Sequence, residues 1–116
     1  MVEIMVKSVH AAPEQSDGFR VMVDTQFPKG KNAKNAGIDL WLGQVAPTAR
    51  LQKWFRDDRD KWDDFLDRYH AELDENNEAI MILFNEALAE RITLVFAGND
   101  LRYNTAVALK RYLDGD

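Results

Sequence analysis

Cysteine is absent from the 116 residues, which removes disulfides, thiolate metal sites, iron–sulfur clusters and cysteine nucleophiles together. Long apolar runs are absent as well: none approaches the roughly 20 residues that a membrane-spanning helix needs. The opening MVEIMVKSVHAA carries Glu3 where a secretory signal would be basic and then apolar. Together these features predict a cytoplasmic protein with no membrane partner. Histidine is scarce, with His10 and His70 far apart and no third ligand at a familiar spacing, so no metal site is expected. No Gly-rich phosphate loop, Gly-x-Ser-x-Gly or His-Glu-x-x-His occurs, and no cofactor is implied.

Positive charge is short too, with fifteen basic against twenty acidic side chains and a formal net charge of -5. The excess is local. Residues 1–50 carry six Lys/Arg and five Asp/Glu, residues 51–90 five and twelve, and residues 91–116 four and three. A nucleic-acid binder needs a clustered basic surface, and this chain offers only Lys29, Lys31 and Lys34. No nucleic-acid partner is expected.

What is present suits one core: 46% of the residues are apolar, enough for a single domain spanning 1–116. VEIMVKSV alternates and is β-branched, which predicts a first strand. FRVMVD places Phe19, Val21 and Val23 on one face and predicts a second, ending at Asp24. TQFPKGKNAKNAG is too irregular for an element and long enough to be a functional loop. IDLWLGQVAP is a short apolar segment closed by Pro47.

From Thr48 the period changes to that of a helix. Thr48 can cap a short helix carrying Leu51, Trp54 and Phe55. Trp62, Phe65, Leu66, Tyr69 and Leu73 define a strong amphipathic helix, with Arg56–Asp60, Arg59–Asp63 and Asp64–Arg68 expected as i,i+4 pairs on its solvated side. A third helix should run from Asn76 or Asn77 to about Glu90. RITLVFA reads as a central parallel strand, followed by a last helix from about Arg102 to Leu113. The fold class expected is α/β, a short mainly parallel sheet covered by about four helices, with RITLVFA interior beside FRVMVD. Trp41, Trp54 and Trp62 are expected in the core. Met81 and Phe84 fit either a crowded core or a homodimer patch.

Ligands of open α/β sheets bind beyond the carboxyl ends of the strands. Two loops qualify, Asp24 to Gly30 and Gly98 to Asn104. They, and the pieces between them, also carry a resemblance. DGFRVMVD-TQFPKG, IDLWLGQVAP, LQKWF, W-x-x-F-x-x-RY-x-x-EL and TLVFAGND-x-x-YN-x-AVALK, in that order across about residues 17–113, resemble the YeaO-like branch of the domain-of-unknown-function 488 family. The resemblance implies a small bacterial cytoplasmic α/β protein and no established activity. Typical members read Asp-Arg-Leu-Trp-Pro-Arg-Gly where this chain has Asp24 to Gly30. They read Ala-Ala-Lys-Asp and then Glu-His-Asn where it has Ala97 to Asp100 and then Arg102 to Asn104. Thr25, Lys29, Asn99 and Tyr103 therefore depart from the pattern, while Asp24, Pro28, Gly30, Asp100 and Asn104 match it.

The candidate site follows. Asp24 is the candidate catalytic residue, as a general base at a strand end, or else a carboxylate that caps its loop. Thr25, Phe27, Lys29, Gly30, Asn99, Asp100, Tyr103 and Asn104 are the candidate ligand contacts, with Lys29 positioned over an anion or simply solvated. Asp100 or Asn104 can equally be the cap of the last helix. The functional expectation is binding of a small anionic metabolite, with catalysis undecided. The alternative is an interaction or regulatory module on the same scaffold.

Overall fold

In a computed structural model, which describes residues 2–56 and 58–115, the chain forms strand β1 (Glu3–Ser8), β2 (Phe19–Met22), β3 (Leu40–Trp41) and β4 (Arg91–Phe96). The helices are α1 (Ala49–Phe55), α2 (Trp62–Asp74), α3 (Asn77–Glu86) and α4 (Thr105–Asp114). All strand pairs are parallel and the order is β1-β4-β2-β3. RITLVFA is thus interior, between the first two strands, as its unbroken apolar run predicts.

Alternation along the strands divides the core into two layers. Ile4, Val21, Ile92, Leu94 and Phe96 face the helices and pack with Leu66, Tyr69, Leu73, Leu83 and Leu109. Met22 and Val95 face the other way and are covered by loop residues, among them Val9 and Ala36. This second face also buries polar groups. Arg20, 3% exposed, donates to Asp17 (2.6 Å) and to the carbonyls of Ala36 (2.8 Å) and Gly37 (3.1 Å), pinning two loops across the sheet.

Helix ends follow their local chemistry. Thr48 Oγ1 accepts from Leu51 N–H and starts α1, while Glu72 on α2 receives both the N–H (2.9 Å) and the hydroxyl (2.7 Å) of Thr48. One carboxylate thereby joins two helices. His70 on α2 lies 3.0 Å from the Ala108 carbonyl on α4, a packing role. Among the described residues no group of three His, Asp or Glu side chains is placed to hold a metal, and no helix is long and apolar enough to cross a membrane.

Four boundaries and contacts differ from the sequence expectation. β2 ends at Met22, because Asp24 then pairs through its side chain instead of extending the ladder. α3 ends at Glu86: Ala87 leaves the helical region so that the chain can turn and Glu90 can accept from Glu3 N–H at 2.8 Å. α4 begins at Thr105, because Asp100 Oδ1 takes the N–H groups of Arg102 and Tyr103 and holds that stretch as a turn. The surface pairs of the acidic helix give way to tertiary partners: Arg59 turns to Asp100, and Arg68 lies 4.4 Å over the Trp54 ring. Asp57, at the head of the acidic block, lies outside the described residues.

Of the aromatic core, Trp62, Phe65 and Tyr69 are buried as expected. Trp41 is not. It is 49% exposed, because β3 is a two-residue edge strand whose Trp41 pairs with Met22 and so belongs to the loop-covered face. Met81 and Phe84 are exposed on α3, which excludes the crowded-core explanation for them.

Candidate functional site

Beyond β2 the chain moves outward to β3, whereas beyond β4 it returns through α4, which packs on β1 and β4. The two connections diverge, and between them the carboxyl ends of β2 and β4 open into a cleft of about 420 Å³. Gaps of this kind are where open α/β sheets bind ligands.

Asp24, Thr25 and Phe27 from the first predicted loop line the cleft, and so do Asp100, Tyr103 and Asn104 from the second. Lys29, Gly30 and Asn99 do not line it. Sequence reasoning missed the contributions of the helices. Gln52 and Phe55 on α1, Phe65 on α2 and Thr105 at the head of α4 complete the wall, with Pro47 leading into α1. Phe55 and Phe65 stack at 4.4 Å between centroids and read in sequence only as core, which they also are. Gln52 carried no signal; its Nε2 donates to the Pro47 carbonyl at 2.7 Å and fixes the turn before α1.

The polar groups are held in place by backbone. Asp24 Oδ2 accepts from Ala97 N–H at 2.7 Å. Its carbonyl accepts from Trp41 Nε1 at 2.8 Å, and the Trp41 ring meets Phe27 edge-on at 4.8 Å. The loop after β2 is therefore clamped from the β3 side. Asn104 caps α4, its Oδ1 accepting from Val107 N–H at 2.9 Å and its Nδ2 donating to the Asp100 carbonyl at 2.9 Å. Asp100 Oδ2 accepts from Arg59 Nε at 3.2 Å, and the Arg59 guanidinium lies 5.4 Å from the Tyr103 ring centre.

Two carboxylates contribute negative charge, and no lysine or arginine lines the cleft among the described residues. The N–H groups of Arg102 and Tyr103, with Arg59 adding to them, hold the Asp100 carboxyl below its ordinary range. Tyr69, buried beneath the site with its hydroxyl donating to Val45 at 2.8 Å, has its phenol pushed up, first by burial and then by the charges of Asp24 and Glu72. Such a phenol is a structural donor. It stays protonated at neutral pH.

An all-parallel α/β sheet with a cleft at its strand ends is the class that fold and geometry define. Residues 3–116 match the family model DUF488-N3i, described as the inactive DUF488-N3 subclade, and the chain belongs to that family. The uncharacterized protein YeaO of Escherichia coli (strain K12) is 29% identical over 112 residues, covering 97% of both chains. The uncharacterized protein Rv3073c of Mycobacterium tuberculosis (strain ATCC 25618 / H37Rv) and Mb3100c of Mycobacterium bovis are each 28% identical over 112 residues, 97% of this chain and 94% of theirs. No solved structure matches the chain significantly.

Proposed function

We propose that this protein binds a small molecule in the cleft between the ends of β2 and β4 and does not turn it over. The observation that carries the reading is the cleft itself, about 420 Å³ at the divergence of two parallel strands, with an aromatic floor and polar walls. One of its carboxylates argues against catalysis. Asp100 accepts from two backbone N–H groups and from Arg59, which hold its carboxyl below the ordinary range, whereas a general base at neutral pH needs a raised pKa. The description of the family as an inactive subclade agrees with this.

A thermal-shift screen of a metabolite library tests the proposal. A ligand at about 100 times its dissociation constant stabilises by roughly 2.7 kcal/mol, a shift of several degrees for a chain of this size. The shift should vanish in Tyr103→Ala. A library without a hit, or a hit that Tyr103→Ala leaves intact, would sink the reading.

A second reading, the interaction module, draws on Met81, Phe84 and Leu88, which are exposed at and just beyond α3. Concentration-dependent sedimentation that Met81→Glu abolishes would favour it.

A further inference from the structure

We infer that the outer edge of β1 is a self-association surface: β1 of a second copy of this chain lies antiparallel along it, about a two-fold axis at Met5, and joins two sheets into one.

Backbone geometry carries the pairing. β1 ends the strand order, so β4 alone lies beside it among the described strands. Glu3 N–H donates to the Glu90 carbonyl at 2.8 Å and Val9 N–H to the Phe96 carbonyl at 2.9 Å. Alternate residues of a parallel strand turn both backbone groups to the same neighbour, so Glu3, Met5 and Lys7 serve β4. Ile4 and Val6 turn theirs to the other side, where no strand lies among the described residues. Such an edge is a template for a further strand. The open run is short and has a centre. Beyond Val6 the Ser8 carbonyl accepts from Ala11 N–H at 3.0 Å and the chain turns away. When Ile4 exchanges both bonds with Val6 of a second copy, symmetry repeats the exchange at the other end, and the two Met5 residues oppose each other between them.

The side chains fit that register. Met5 is 42% exposed on the face opposite buried Ile4, and its place on the axis brings it against its own copy, in the kind of pair whose side chains approach most closely. Glu3 stands two residues before Met5 and Lys7 two after, so antiparallel pairing sets Glu3 opposite Lys7 at both ends. Parallel pairing in register sets like charge against like, which destabilises a sheet. Both groups keep their own partners, Arg91 for Glu3 and Glu14 with Asp17 for Lys7. The backbone therefore supplies the attraction and the charge pattern selects the direction. A two-fold pair closes on itself and covers both edges. No residue of β1 lines the cleft, so association is separate from ligand binding.

The test is sedimentation equilibrium of the full chain from about 1 to 300 µM, which should show monomer and dimer in exchange. Met5→Lys and Met5→Glu change an exposed side chain and each sets like charges together on the axis, so each should weaken the dimer about tenfold or more. Their equimolar mixture should regain it. The chain has no cysteine of its own, and opposed residues about 4.5 Å apart at Cα are within reach of a disulfide. Met5→Cys should therefore cross-link under mild oxidation several-fold faster than Phe84→Cys, placed on the exposed face of α3. Met81→Glu should leave the dimer intact. A chain that stays monomeric over that range overturns the inference. A dimer that both Met5 charge variants leave unchanged, or one that Met81→Glu abolishes, places the interface elsewhere and overturns it too.

Discussion

The carboxylate of Asp24 accepts a 2.7 Å hydrogen bond from the N–H of Ala97, joining the chain just past β2 to the chain just past β4 where the regular ladder has ended. A residue that sequence offers as a candidate base is thus the tie that holds the two sides of the cleft at fixed separation. Asp24→Ala should lower stability by about 1.5–3 kcal/mol, the range for a hydrogen bond to a charged group, and Asp24→Asn by less, because it keeps an acceptor. Urea unfolding midpoints at neutral pH measure both. An alanine variant as stable as the unmodified protein would mean that the tie contributes nothing to the fold.

Gly18 and Gly30 both have positive φ, 68° and 85°, but only one of them is enclosed. A Cβ at Gly18 would stand 2.3 Å from the Arg91 carbonyl oxygen, whereas one at Gly30 would meet nothing within 4 Å. Gly30→Ala should cost about 1–2 kcal/mol, the backbone penalty alone. Gly18→Ala adds a clash with β4 itself and should cost several-fold more, or fail to fold. Thermal melts of the two variants side by side check the ordering.

Burial works to raise the pKa of Asp17, but the Glu14 N–H and the side chains of Lys7 and Arg20 outweigh it and hold the carboxyl below its ordinary value. A depressed carboxylate stabilises the fold fully above the unfolded pKa, about 3.9, and that contribution disappears as pH falls through the lower folded value. Stability should therefore decline on acidification below about pH 4. Asp17→Asn should be less stable at pH 7 and show a shallower acid decline, read from denaturant midpoints across the acid range. An equally steep decline in the variant would assign the acid sensitivity to other groups.

The charge distribution predicts no complex with duplex DNA at physiological salt. Twelve acidic side chains between residues 51 and 90 face only five basic ones, and the lysines at 29, 31 and 34 are too few to release many counterions. Fluorescence anisotropy with a labelled duplex at about 150 mM salt checks this. Salt-sensitive binding of micromolar affinity or tighter contradicts it.

The strands and helices were legible because their signals are local. RITLVFA announces an interior parallel strand by its unbroken apolar run, and Trp62, Phe65 and Tyr69 announce the buried face of α2 by their spacing. The element ends were less legible. Where β2, α3 and α4 stop or start depends on which carboxylate or carbonyl takes a given N–H, and those partners lie up to 87 residues away, as Glu3 and Glu90 show, the latter pairing only once β1 lies beside β4.

The cleft divides in the same way. Its loop residues were visible because Asp24 follows one strand and Gly98 to Asn104 another, and strand ends in parallel sheets are where loops gather. Composition and period alone determined a parallel α/β chain without thiol, metal-cluster or membrane-helix signals, with two loops at the strand ends. Only the tertiary structure decided that Gln52, Phe55 and Phe65 share the cleft with them, that Lys29 stays outside, and that Asp24 and Asp100 are held by backbone N–H groups. The reason is that a helix periodicity states which side chains turn inward and never which strand end they will meet, and that a carboxylate's role depends on donors brought to it by folding.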